Sequence, residues 1–443
     1  MKVIYDISTL GLSYQSTHGQ AGVFRTAQTL AYRLAATPDC ELTFSASESL
    51  PALHAALAYL AHTPALQAIP LPHPYHELPI RAILDSPAQR HLNRTVHELS
   101  RRIVAAQGVR RWALKMLRRG PMQTQWLLEK RYPPIEPRSL AAADIFHSPM
   151  YAIPAQAQAQ PRLCTFLTVY DLIPILQPQF FSYSAGHDRR FRAIMQSLLP
   201  DGWALCISEA TKADLCNYLP IAPERVQVTY LAADPDLFYP CTDPAAIQAT
   251  RRKYGIPEGA YILSVNTLEP RKNIAQALHA FARLVHEQHL TDLSFVLVGA
   301  KGWQYDTIFD TITAAGTRGL QDRIIVTGYV EDDDLAPLYS GATAFVYPSF
   351  YEGFGLPPLE AMQCGVPVIS SNTSSLPEVV GDAGILVDPH DGDALCQALW
   401  TLYRDPAQRA TLAAAGLARA QRFSWAQTVA QTLAAYQTAL DAR

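Results

Sequence analysis

Along most of the 443 residues, short runs of β-branched and aromatic residues alternate with longer Ala/Leu-rich stretches. The first half offers six candidate strands: VIYDI, ELTFSA, DIFHS, CTFLTVYD, WALCIS and RVQVTYL. The second half offers six more: YILSVNT, LSFVLVGA, RIIVTGYV, TAFVYPS, PVISS and GILVD. Between strands, IAQALHAFARLVHE and LAPLYSGA repeat apolar residues at three- and four-residue spacing, which predicts amphipathic helices. Alternating strand and helix signals predict βαβ units and parallel sheets. Two such series predict an α/β chain of two Rossmann-like domains. Pro and Asp cluster at 233–244, which sets a first domain at 1–235 and a second at 236–422. From 423 to 443 the chain reads as one helix with no strand after it, expected to pack back on the first domain.

Half the residues are apolar, enough for two cores of ordinary size. Thirty-six Lys/Arg stand against thirty-nine Asp/Glu, which excludes a generally nucleic-acid-like surface. Seven cysteines are scattered without a C-x-x-C pair, so they read as buried thiols in a reducing compartment. MKVIYDIS enters a strand at once, with no secretory leader pattern. No apolar run nears the roughly 20 residues needed to span a bilayer. The expectation is a cytoplasmic protein, or one peripheral at the inner face of the cell membrane.

The segment 81–140 changes that picture. It carries thirteen Lys/Arg against four Asp/Glu, inside a chain that is otherwise acidic. Within it, Val109, Trp112, Ala113, Met116 and Leu117 share one helical face, while Arg110, Arg111, Lys115, Arg118 and Arg119 cover the rest. Such a helix suits an anionic membrane surface, or a core-facing helix with a solvated basic side.

The chemistry concentrates in EGFGLPPLEAMQCGVPVISS, residues 352–371. Glu352 and Glu360 flank a glycine-bearing loop that follows a strand, and Pro357 and Pro358 suit the first turn of a helix. Free amides and the positive dipole end of that helix form an anion pocket, and a carboxylate one turn in can grip a sugar diol. Taken singly, Glu352 reads as a solvated loop acid and Glu360 as a dipole complement. Upstream, NTLEPRKN sets Arg271 and Lys272 after a strand, at the expected start of a helix. Two cations there oppose the helix dipole, but they can neutralise a diphosphate leaving group. EDDDLAPL mimics a D-x-D metal motif; Asp332 to Asp334 are expected instead to cap a helix.

These motifs, with FHSPMYAIP, VYDLIP, ISEATKADL, TGYVEDDDLAPLYSGA and SSLPEVVGDAGILVDP, make the chain resemble family 4 of the retaining glycosyltransferases. The resemblance spans about 144–425, with AGVFRTAQTLA a looser match upstream. It implies the GT-B fold and hexose transfer from a nucleoside-diphosphate sugar to a glycan or lipid-linked glycan. Arg271 and Lys272 would clamp the diphosphate. Glu352 would sit near the donor sugar and Glu360 on the ribose. The amides of Phe354, Gly355 and Leu356 would face sugar and phosphate, and Gly328, Tyr329 and Val330 would line the base. Gly22 falls on a turn against the donor, with Arg25 on the acceptor or sugar side. Tyr170, beside Asp171, stands where many relatives carry histidine; His147 either takes part of that role or is a packed histidine at a strand end. No metal and no cofactor besides the donor are implied. The donor sugar, with mannose favoured, the glycan acceptor and an anionic membrane surface are the expected partners, and nucleic acid is not. Two rivals are a sugar-nucleotide epimerase on the same fold and a non-catalytic nucleotide-sugar or glycan-binding partner of another transferase.

Overall fold

The computed structural model describes residues 1–14, 22–73, 86–87, 91, 94–96, 98–99, 102–103, 106, 108–131, 134–180, 185–300, 302, 310 and 319–443, without the side chains of 111, 124–131 and 185–188. Two six-stranded sheets organise it. The first contains β1 (Lys2–Asp6), β2 (Glu41–Ser45), β3 (Ile145–Ser148), β4 (Cys164–Val169), β5 (Trp203–Cys206) and β6 (Val226–Val228), in the order β2-β1-β3-β4-β5-β6. The second contains β7 (Ala260–Val265), β8 (Leu293–Val298), β9 (Ile324–Gly328), β10 (Ala344–Tyr347), β11 (Val368–Ser371) and β12 (Gly384–Val387), in the order β12-β11-β10-β7-β8-β9. Every pairing is parallel. Helices cover both faces of such sheets, so strands such as AFVY and LSFVLV are buried at every position.

The strand order reverses between β1 and β3 in the first sheet and between β10 and β7 in the second, and ligands of open α/β sheets bind at such points, beyond the carboxyl ends of the strands. Those ends meet across the domain boundary. The helix Trp425–Asp441 joins the two halves. Trp425 is buried in a cluster with second-sheet residues, and Val429, Ala435, Tyr436 and Ala439 are buried with first-sheet residues.

The basic helix forms over Gly108–Arg131, but the described part of its apolar face finds no core. Val109 is 83% exposed, Trp112 64% and Leu117 65%, which overturns the core-facing alternative. The side chain of Arg111 lies outside the described residues. Among the described residues, no helix is long and apolar enough to cross a membrane.

Candidate active site

The two cations do not open a helix as the sequence suggests. Pro270–Lys272 is a separate 3-10 turn, and the following helix runs Ile274–Glu287. Asn273 separates them in the left-handed region at φ 55°, held by its amide donating to the carbonyls of Pro348 and Pro389. After glycine, Asn and Asp tolerate that conformation best. The turn delivers both cations onto the loop after β10. Arg271 pairs with Glu352 at 2.7 Å and Glu269 at 2.6 Å, and donates to the Tyr351 carbonyl at 2.6 Å. Lys272 pairs with the other Glu352 oxygen at 2.7 Å and reaches the Tyr347 hydroxyl at 2.5 Å. Ser349 donates to Glu352 at 2.6 Å.

This cluster is buried and charge-balanced, two cations against two carboxylates. Burial works to raise the Glu352 pKa, but Arg271 and then Lys272 outweigh it and hold the carboxyl at about 2. Burial, and secondarily Arg271 beside it, lower the Lys272 pKa. One donor is left over: the Arg271 Nε–H is buried with no acceptor. A buried orphan donor costs on the order of 1–3 kcal/mol until an acceptor arrives. Glu352 is therefore first the counter-ion that fixes both cations, a role its position in the sequence does not reveal.

The loop leads into the helix Leu356–Gln363, entered through Gly355 at φ 126°, a conformation glycine adopts readily. Pro357 and Pro358 carry no N–H, so Gly355 and Leu356 supply the amides left at that end. Phe354 turns its ring into the core, tilted against Tyr230 and edge-on to Phe423. Glu360, one turn on, accepts from the Tyr339 hydroxyl at 3.0 Å. Burial pushes its carboxyl up to about 7, against that hydrogen bond and the field of Arg25. From the first domain, Tyr170 and Asp171 close over the loop. A Cβ on Gly353 would stand 2.1 Å from the Tyr170 carbonyl oxygen, so this contact requires glycine. Burial raises the Asp171 pKa, with Arg271, Glu352 and Lys272 all in electrostatic reach.

Residues 246–419 match the family described as glycosyl transferases group 1. A relative from Escherichia coli, O-antigen chain mannosyltransferase B, is 36% identical over 330 residues, covering 73% of this chain and 82% of that one. The chain belongs to the group 1 glycosyltransferases, family 4. The serotype-specific mannosyltransferase WbdA of Escherichia coli is 33% identical over 287 residues, 64% of this chain but only 34% of that larger protein. Among solved structures, a glycosyltransferase from Rickettsia africae superposes with a TM-score of 0.65 at 15% identity, covering 100% of this chain and 99% of that one. A sucrose-phosphate synthase from Thermosynechococcus elongatus superposes with a TM-score of 0.64 at 20% identity, with full coverage of both chains. The fold is GT-B.

In this glycosyltransferase several expected positions fall elsewhere. His147 does not face the cleft. It is fully buried on β3, with Nδ1 at 2.6 Å from the Tyr436 hydroxyl and Nε2 at 2.7 Å from Thr168 Oγ1, and burial lowers its pKa to about 3. Val330 is buried in the second-domain core, so its side chain cannot line a base; Tyr329 beside it is exposed and Gly328 turns at φ 72°. Arg25, three residues past the positive-φ Gly22 in the helix Val23–Ala35, crosses to the second domain: it pairs with Asp332 at 2.6 Å, in electrostatic reach of Glu360. Asp332 to Asp334 occupy the first turn of Asp332–Ser340, with Glu331 as the residue before it, so they complement the dipole without capping. Asp334 is held by Lys253 and Tyr254. Sequence reasoning missed Glu269, Tyr347 and Ser349. Glu269 lies inside the quoted TLEPRKN, but nothing in its spacing signals that it balances Arg271.

Proposed function

We propose that the protein is a retaining, metal-independent hexosyltransferase that moves mannose from a nucleoside-diphosphate sugar to a hydroxyl of a growing glycan or lipid-linked glycan, in surface polysaccharide synthesis. The observation that carries the reading is the buried Arg271–Lys272–Glu352–Glu269 cluster with its unpartnered Arg271 Nε–H. Preorganised cations stabilise a departing diphosphate most when water is excluded, since nothing must reorganise as charge develops. They supply the neutralisation that a divalent ion supplies elsewhere. Glu360 accepts from the ribose hydroxyls, and Gly355 and Leu356 offer amides to the phosphate. In front-face transfer the C–O bond to the diphosphate breaks as the acceptor oxygen bonds on the same face. The leaving diphosphate takes the acceptor proton. Mannose, and the polysaccharide setting, draw support from the two mannosyltransferase relatives, about a third identical to this chain over the matched residues.

The membrane surface belongs to the same reading. The exposed apolar stripe of Gly108–Arg131, flanked by Arg110, Lys115 and Arg119, lies in an anionic leaflet and holds the enzyme near its lipid-linked acceptor.

A panel of GDP-, UDP-, dTDP- and ADP-sugars screened by thermal shift tests the donor, since a ligand at 100 times its Kd adds about 2.7 kcal/mol. GDP-mannose is expected to raise Tm. Transfer should persist in EDTA and give a product with the donor's anomeric configuration. A chain that no nucleotide sugar stabilises has another function.

A further inference from the structure

The loop that carries Glu352 is gripped from the opposite domain by one helix, Glu209–Tyr218. Its N-cap Ser208 is fully buried; Oγ accepts from the Thr211 amide at 3.0 Å and lies 2.7 Å from the Gly353 carbonyl, to which it donates. Thr211 donates to the same carbonyl at 3.2 Å. One turn on, Asp214 accepts from the Tyr351 hydroxyl at 2.8 Å. The second domain answers in kind. The Glu378 carboxylate accepts from the Glu209 and Ala210 amides at 2.9 and 3.0 Å, closing the helix N-terminus from across the boundary. The two neighbours of Glu352 are thus tied to the first domain. Its own amide and carbonyl are tied within the second, to Ser374 and Ser375.

We propose that Ser208, Thr211, Asp214 and Glu378 are positioning residues for glycosyl transfer: helix Glu209–Tyr218 sets the loop 351–353, and through it the Glu352 counter-ion and its two cations. None of the four touches the cluster itself. The inference rests on the transfer reading for its kinetic consequence and on hydrogen bonds alone for its structural one. A side chain misplaced by about 1 Å costs on the order of 10²-fold in rate. A carboxylate capping two amides also adds a charge-assisted bond that holds the two domains in register.

Two full-length variants test it. Tyr351→Phe removes one hydroxyl, and Glu378→Ala removes the reciprocal cap. Amide hydrogen exchange over 350–356, measured without ligand, should quicken about tenfold or more in both. With donor and acceptor, kcat should fall about tenfold or more while the donor KM stays within about threefold, the split expected of a residue that aligns the site without binding substrate. Wild-type exchange rates across that loop in both variants would overturn the proposal whether or not transfer is seen. Wild-type enzyme inactive with every nucleotide sugar would instead sink the transfer reading, leaving the exchange result to stand.

Discussion

At the residue scale, the cluster separates binding from chemistry in a way each side chain can report. Arg271→Ala removes the shared partner of Glu352 and Glu269. Transfer should fall by about 10²-fold or more, the scale of one preorganised electrostatic contact. Stability should also drop by about 3–5 kcal/mol, because buried Glu269 loses its ion-pair partner and Glu352 keeps only Lys272. Steady-state kinetics and urea unfolding read the two effects on one protein; an active, fully stable variant would remove Arg271 from both roles. Glu352→Gln leaves the cations with Glu269 alone, so the pocket becomes more positive. Affinity for a nucleoside diphosphate should hold or tighten while transfer collapses, and calorimetric titration in which affinity falls with transfer would contradict the counter-ion assignment. Glu360 makes the pH prediction. Its carboxyl, raised by burial to about 7, is protonated below that pH and cannot accept from both ribose hydroxyls. Affinity for the nucleotide sugar, whose diphosphate does not titrate there, should weaken as pH falls through 7, and Glu360→Gln should flatten the profile. The same raised pKa costs the unliganded fold stability once pH exceeds the unfolded value of about 4.3, fully so above 7. Glu360→Gln should therefore raise Tm at pH 8 and leave it nearly unchanged at pH 4.

At the element scale, the helix Gly108–Arg131 is, among the described residues, the long amphipathic element that turns its apolar stripe outward. If it lies in an anionic leaflet, each surface cation contributes about 1 kcal/mol and salt weakens the attraction. The Debye length shrinks from about 10 Å at 0.1 M to about 3 Å at 1 M. Replacing Arg110, Arg111, Arg118 and Arg119 with Gln should release the protein from anionic vesicles and leave nucleotide affinity unchanged. Wild-type protein that stays in the supernatant at low salt would reduce the helix to a solvated one. The same contrast between local and distant contacts decides what the sequence could reveal. All twelve strands were legible because strands buried on both faces carry continuous β-branched runs such as YILSV and TAFVY. Arg271, Lys272, Glu352 and Glu360 were legible as candidates because each lies in a compact motif that follows a strand, Glu360 in the helix after the loop. Their partnership was not. Glu352 meets Lys272 across eighty positions, and Ser208 meets Gly353 across 145, so no local spacing encodes either contact. His147 stayed between two readings for a related reason, and the packed one holds: a histidine at a strand end looks the same in sequence whether it faces a cleft or a helix arriving 289 residues later.

At the scale of the whole molecule, two further kinds of contact join the grip of Glu209–Tyr218 in crossing between the domains. The Arg25–Asp332 pair is more than a third exposed at both partners, and such pairs contribute about 0–1 kcal/mol. It orients one edge of the cleft without holding the molecule together. The helix Trp425–Asp441 does hold it, because its start is buried in one core and its end in the other. Tyr436 is the point of insertion: fully buried, its ring edge against Phe166 at 4.9 Å between centroids, its hydroxyl on His147. Tyr436→Phe keeps the packing and strands His147 Nδ1 without a partner, a loss of about 1–3 kcal/mol. Tyr436→Ala also empties an aromatic site, a loss of about 3–5 kcal/mol on the scale of aromatic truncations. The loss falls on the first domain alone, since the Trp425 end of the helix is untouched. Scanning calorimetry should therefore show one cooperative transition in the wild type and in Tyr436→Phe. In Tyr436→Ala it should show a first-domain transition moved to lower temperature and separated from that of the second. A single transition displaced as a whole would mean that the domains are coupled elsewhere, through the grip of Glu209–Tyr218 on the Glu352 loop.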